Sequence, residues 1–446
     1  MKVGFAITAI SMVYLFIFLT SCASNVETIY PNDNEQFAEK NTDNKYESVA
    51  VPEYEKPPKE TVAYPDYEKS SETINITFNG VRLPLYMFSQ NLFRKILASG
   101  EENVVFSPLS AYYALAAVAL GALDDTLCEF SNLLGMDPHI LAAKLSSLAE
   151  ALIRSAGSTT VNIGGSAWIN DNFTINSDFY QVMSYYFRSG AYSRDLSSQS
   201  TIDEINEWIY KKTQGLIENP INEIESNTVM LLINTLYFSA RWARRLNPMY
   251  EQLGTFYLES GGYVETVFLS TGRDHIPLPV SVTDYYEAVF IPYDDERTGF
   301  IMIRPIDGTS IRDFVYAIDL KNILYNLNLH FSVQVQMPAI DKEFEVKMNE
   351  YLKAMGLVSA FYGNLSNFSG LVDETKYRIF ISEVKQTARL HVHSEGTEAA
   401  AVTVNRMVPE GALIHPIELN FNTPYVFIIY DTLANVILFM GIVDNP

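Results

Sequence analysis

Two rhythms of apolar positions run through most of this chain. Leu85, Phe88, Leu92 and Ile96 recur at helical spacing after Pro84, and Gly100 closes that pattern. Ser107-Pro108 supplies an N-cap followed by a first-turn proline, and Leu109, Tyr112, Ala116 and Leu120 continue the helix to Gly121. Thr201-x-x-Glu204 reads as a capping box opening a helix through Ile205, Trp208 and Ile209. Leu352 and Met355 lie on a helix stopped by Gly356. The second rhythm belongs to strands. Residues 161–170 read as one, and 228–238 are apolar on both faces, as in a strand inside a covered sheet. Phe331, Val333, Val335 and Met337 alternate up to Pro338, and 425–430 and 436–443 close the chain as strong strands. Early helices followed by many non-adjacent strands predict an α+β fold, with helices packed on large sheets.

The first seventy residues follow neither rhythm. Lys2 precedes an almost unbroken apolar run over 3–18, which ends in Leu19-Thr20-Ser21-Cys22. A basic start, an apolar stretch and small residues describe a secretory signal, and the run is short of the ~20 residues that span a bilayer. The Leu-Thr-Ser-Cys ending resembles the lipobox of bacterial lipoproteins, which implies that 1–22 is a lipoprotein signal and that Cys22 is the lipid attachment point. Several acyl chains on one cysteine give a durable anchor, since each buried methylene contributes about 0.8 kcal/mol. Residues 23–70 hold 11 acidic and 5 basic side chains, five prolines and no apolar period. They are expected to form a disordered, extended tether holding a folded body, 71–446, away from the envelope.

Composition narrows the chemistry. The chain has 446 residues, 48% hydrophobic and 19% charged, so most of it can bury a core. Its formal charge of −22, from 53 acidic and 31 basic residues, argues against nucleic acid and against membrane contact other than through a lipid anchor. Only Cys22 and Cys128 occur, which excludes a disulfide-stapled scaffold and a Cys-rich zinc site. His391 and His393 share one strand face, but two ligands make a poor metal site, and no cofactor is expected. Phosphate-binding glycine loops and the nucleophile elbow G-x-S-x-G are missing too, so catalysis is not the expected activity.

One stretch stands apart. Residues 394–413 read SEGTEAAAVTVNRMVPEGAL, small and bland between well-formed strands. Stepping by two from Thr397 gives Ala399, Ala401, Thr403, Asn405 and Met407, none of them charged. The interleaved set Glu398, Ala400, Val402, Val404 and Arg406 holds both charges. That is the pattern of a strand with one face turned inward, and Gly396 before it can hinge freely. The run E-G-T-E-A-A-A-V-T resembles the reactive-centre-loop hinge of serpins. Four further motifs resemble that family in the same order: Phe106-Ser107-Pro108-x-Ser110; Asn206-x-Trp208 with Thr213-x-Gly215-x-Ile217; Asn234-Thr235-x-Tyr237-Phe238-x-x-x-Trp242; and the ending from Leu438 to Asn445-Pro446. The resemblance covers about 71–446.

The resemblance implies a serpin fold, helices on three β-sheets with an exposed reactive-centre loop at about 394–415. It also implies an inhibitor of serine proteases rather than an enzyme. The target would cut the loop and form a covalent 1:1 acyl-enzyme, and the loop would then insert into the main sheet, with the serpin a monomer. Its hinge would be Glu395, Gly396, Thr397, Glu398, Ala399, Ala400, Ala401, Val402 and Thr403. Ser107, Ser110 and Asn234 would form a shutter where the sheet parts, and Gln386 would replace a family histidine there. Gln386 can donate and accept hydrogen bonds but cannot titrate. Departures include Asp124, where the motif around Gly121 usually has a glycine, and Ser394, where a glutamate is usual. Counting from the hinge puts the attacked bond after Glu410, before Gly411. Counting back from Phe421-Asn422-Thr423-Pro424-Tyr425 puts it after Leu413, before Ile414, and Ala412 lies between; cleavage at Arg406 would shorten the insertion. A non-inhibitory serpin acting as a surface binding protein is the alternative. The expected location is the bacterial cell surface, secreted and lipid-anchored.

Overall fold

The computed structural model describes residues 80–446 apart from 101, 157, 188–189, 245, 247, 273–275, 307, 328, 373–377 and 398–416. These residues belong to one compact unit, Asn75–Pro446. The signal, Cys22, the tether, hinge residues 398–403 and the scissile-bond candidates 410–414 lie outside the described residues.

The chain begins with α1 (Arg82–Leu97), β1 (Val104–Phe106), α2 (Pro108–Ala119), α3 (Asp124–Leu134) and α4 (Pro138–Leu152). There follow β2 (Arg154–Ala156), β3 (Thr159–Asn170), α5 (Ser177–Phe187), β4 (Gly190–Arg194), α6 (Gln199–Lys212) and β5 (Met230–Arg241). A run of strands comes next: β6 (Gln252–Tyr257), β7 (Tyr263–Ser270), β8 (Ile276–Val282), β9 (Tyr286–Pro292) and β10 (Thr298–Pro305). Helices α7 (Ile311–Ala317) and α8 (Leu320–Asn326) lead to β11 (Leu329–Pro338), β12 (Ile340–Lys347) and α9 (Asn349–Ala354). The chain closes with β13 (Glu383–His393), β14 (Gly396–Thr397), β15 (Ile417–Asn420), β16 (Tyr425–Asp431) and β17 (Val436–Val443).

The α+β fold is the expected one, but hydrogen bonding joins the described strands into two sheets rather than three. The larger runs β1-β17-β16-β10-β9-β8-β11-β7-β6, with β15 beside β11. Strand β8 links its halves: Ile276 to Val280 face β11, and Val280 to Val282 face β9. The smaller runs β12-β13-β14-β5-β3-β2, with β4 beside β3 and β13 also pairing directly with β5.

Helix α2 explains how the sheets are held together. Its sequence PLSAYYALAAVA has no charge, and every residue in it is buried. A helix apolar all round belongs inside, and α2 touches β17 of the larger sheet and both β3 and β5 of the smaller. Ser107 caps it by accepting from Ser110 N, as its sequence predicts. On the other face of the smaller sheet, Ile202, Ile205, Trp208 and Ile209 of α6 pack with Trp168, Leu231 and Ile233.

Several sequence expectations shift. Helix α1 starts at Arg82, so Pro84 sits inside its first turn. Helix α6 starts at Gln199 after Ser198, so Thr201-x-x-Glu204 is not its capping box. The Thr201 hydroxyl instead donates to Asp195 O (2.8 Å), and Glu204 pairs with Arg194 (2.7 Å). Strand β5 extends to Arg241 rather than stopping at 238. Asp124 occupies a left-handed φ of 50°, which accounts for the glycine of the resembled motif; its carboxylate accepts from Asn367 Nδ2 (2.7 Å).

Candidate functional site

The seam between β13 and β5 is closed at one end and open at the other. At the closed end the two strands run parallel and pair directly, Glu383 to Gln386 against Leu231 to Asn234. At the open end β14 lies between them. Thr397 pairs with Val392 on one side and Ala240 on the other, and Gly396 with His393 and Arg241, both pairings antiparallel. The seam therefore widens from one strand spacing, about 4.8 Å, to two within six residues.

Four polar side chains lock the closed end, all buried: Ser107, Ser110, Asn234 and Gln386. Gln386 Oε1 accepts from Ser107 N (2.9 Å), and its Nε2 donates to Ser107 O (3.1 Å) and Ser110 Oγ (2.6 Å), with Asn234 Oδ1 also in reach. Ser110 Oγ donates to Asn234 Oδ1 (2.9 Å), and Asn234 Nδ2 donates to Lys385 O (3.4 Å). The structure thus brings together the four residues singled out as a shutter. They tie the N-terminus of α2 to both strands of the seam. Each polar group is satisfied by another, so removing one leaves its partners buried and unpaired.

Aromatic packing frames the open end. The Trp242 ring stacks on Tyr293 (centroids 4.8 Å apart, 9° between planes), with Phe238 and Phe300 at their edges. Trp242 also grips the turn leading into β14: its Nε1 donates to His393 O (2.9 Å) and its backbone N to Glu395 O (3.1 Å). Leu246 N donates to Ser394 O (3.1 Å). Thr397 points inward, 4% exposed, and its Oγ1 shares a 2.6 Å hydrogen bond with the Tyr293 hydroxyl. Burial pushes the Tyr293 phenol far up, so it stays neutral and can donate. Gly396 is required where it stands. A Cβ there would come within 2.2 Å of Ala240 O and 2.7 Å of Arg241 Cα, so only glycine lets β14 lie against β5.

Charged groups line the outward side of this end. Arg389 holds Asp341 through two 3.0 Å bonds and keeps that carboxyl below the usual range. His391 Nδ1 lies 3.5 Å from the same carboxylate, and the His391 and His393 rings are 5.1 Å apart. Burial, then the neighbouring His391, hold the His393 ring below the usual histidine range despite Glu395 and Glu251. Among the described residues, no group of three His, Cys, Asp or Glu could hold a metal.

Sequence motifs reached Glu395, Gly396, Thr397, the four-residue clasp and Trp242. They missed Tyr293, which is 104 positions from Thr397 and sits in no motif. The alternation of β9 ends in Pro292 just before it, and nothing local points from there to the hinge.

A family model described as Serpin (serine protease inhibitor) matches residues 85–446. Human neuroserpin is 26% identical over 373 residues, spanning 80% of this chain and 90% of its own length. A Cyprinus carpio protein named alpha-1-antitrypsin homolog is 29% identical over 330 residues, spanning 72% of this chain and 86% of its own. Among solved structures, the thermophilic serpin tengpin in its native state is similar with a TM-score of 0.75 and 26% identity, covering 84% of this chain and 96% of tengpin.

Proposed function

The chain belongs to the serpin family of serine protease inhibitors, and from that premise we propose that it is an inhibitory member acting as a suicide substrate. In this reading a serine protease attacks the segment between β14 and β15. Its serine oxygen bonds to the carbonyl carbon of the attacked residue, and the following amine leaves. The freed strand then extends β14 down the seam before water can release the acyl-enzyme.

The observation that supports this above the others is the position of β14, already antiparallel to both walls of the seam. Continuing its register puts Ala399 opposite Leu390 and Phe238, and Ala401 opposite Ala388 and Leu236. Thr403 comes opposite Gln386 and Asn234, where a hydroxyl meets polar partners. These residues share the core side with Thr397, so the inward face is small and uncharged all the way to the clasp. Glu398 and Arg406 fall on the other side. A charge on the inward side would have to be buried unpaired, at several kcal/mol.

Incubation with a panel of serine proteases tests the proposal. An SDS-resistant 1:1 complex is expected, with a released fragment beginning at Gly411 by the hinge count or at Ile414 by the backward count. Clean cleavage with no complex across the panel would instead favour a non-inhibitory surface binding protein. The proposal includes a lipid anchor at Cys22 on a bacterial surface; Cys22→Ala should then move the protein out of the detergent phase.

A further inference from the structure

The turn that seats β14 contains a titratable acceptor. His393 ends β13, and its Nδ1 accepts a hydrogen bond from Glu395 N (3.3 Å) two residues on. An imidazole nitrogen accepts only while it carries no proton. The same residue pairs with Gly396 of the hinge strand, across which Arg241 of β5 lies. Its carbonyl is held by Trp242 Nε1. The ring state of His393 is thus coupled to the backbone that tucks the hinge into the sheet.

We propose that this turn is a pH latch: a neutral His393 ring holds Glu395 N and keeps β14 between β13 and β5, and protonation of the ring lets the hinge strand leave the sheet. Three groups act on the ring. His391 of the same strand opposes a proton there, and Glu395 of the turn and Glu251, just before β6, favour one. Asp341 of β12 lies by His391 and is held by Arg389. Burial and His391 outweigh the two glutamates, so the seated form binds its proton more weakly than a solvated histidine does. The sign follows by linkage: a state whose histidine has a lowered pKa is fully favoured above the released ring's ordinary value and loses that advantage as pH falls from there through the lowered one. The seated hinge is therefore stable at neutral pH and is released in mild acid, below about 6.5. On the inhibitor reading this would free the loop for attack at acid pH, but the latch itself does not depend on that reading.

Trp242, stacked beneath the hinge, reports its seating. Its fluorescence, taken as the difference between the full-length protein and its Trp242→Phe variant, should titrate between pH 8 and pH 5 with a midpoint below about 6.5. His393→Gln keeps an acceptor for Glu395 N but cannot titrate, and should abolish the transition. His391→Gln removes an opposing charge and should shift the midpoint up, whereas Glu395→Gln should shift it down. A transition that survives His393→Gln unchanged, or a flat profile in the unsubstituted protein, overturns the latch. A chain that titrates as described but traps no protease would sink the inhibitor reading alone.

Discussion

At the closed end of the seam four buried polar side chains saturate one another, whereas at the open end two residues of β14 rest against a stack of aromatic rings. The two arrangements respond differently to being opened. The clasp is cooperative, because parting β13 from β5 there breaks the contact of Gln386 with Asn234 and also frees one of them from Ser110 of α2. The aromatic end is graded. For β14 to withdraw, the Tyr293–Thr397 hydroxyl pair, the short ladder of Gly396 and Thr397 and the bonds that hold the turn before it give way one by one, and on the proposed mechanism its register continues when it advances. On the proposed mechanism a seam built this way would admit a strand from one end while resisting it at the other, and the native state would be trapped kinetically above a more stable inserted one.

Substitutions at the two ends should therefore fail in different ways. The largest effect is expected from Thr397→Arg at the open end. A charge forced inward at a 4% exposed position would have to be buried unpaired, so cleavage should continue while the SDS-resistant complex disappears. An unchanged stoichiometry of inhibition would show that this face is not the inward one. Asn234→Ala at the closed end takes away the near acceptor of Ser110 Oγ, while Gln386 Nε2 keeps Ser107 O and Ser110 Oγ. It should lower the stability of the intact protein by about 1–3 kcal/mol in urea unfolding, and a shift of only a few tenths would mean that the clasp is not holding the seam. Tyr293→Phe keeps the stack on Trp242 and removes one hydroxyl, so about 1 kcal/mol should be lost, with the change confined to the Trp242 signal. Tyr425→Phe serves as a control remote from the contrast. The Tyr425 hydroxyl is buried with no hydrogen-bond partner among the described residues, so its removal should stabilise the protein by about 1 kcal/mol and leave inhibition untouched.

The contrast also marks what could be read from the chain. The hinge was legible because Gly396 precedes a small-residue alternation, and the helix cap at the clasp because Ser107-Pro108 opens a helix, whereas Asn234 and Gln386 were reached only through the family resemblance. The core helix α2 was legible for the same local reason. What could not be read was everything fixed by non-local register. The Thr201-x-x-Glu204 pattern suggested a helix start, yet Arg194 on the neighbouring β4 takes Glu204, and the helix begins before it. The count of sheets depended on β8 pairing on both sides, which no periodicity encodes. Tyr293 entered the site only because β9 delivers it beneath β5, and a tyrosine after Pro292 carries no local mark of that.

Thermal unfolding of the intact protein beside its loop-cleaved form tests the central claim most directly. If the seam accepts the cut strand, two edges gain a hydrogen-bonded partner over most of their length. The cleaved form should then melt higher by roughly 10 °C or more, at about 1 kcal/mol net per added bond. A cleaved form that melts at or below the intact one would mean that the strand does not enter, and the seam would then be a feature of the fold without the function proposed for it.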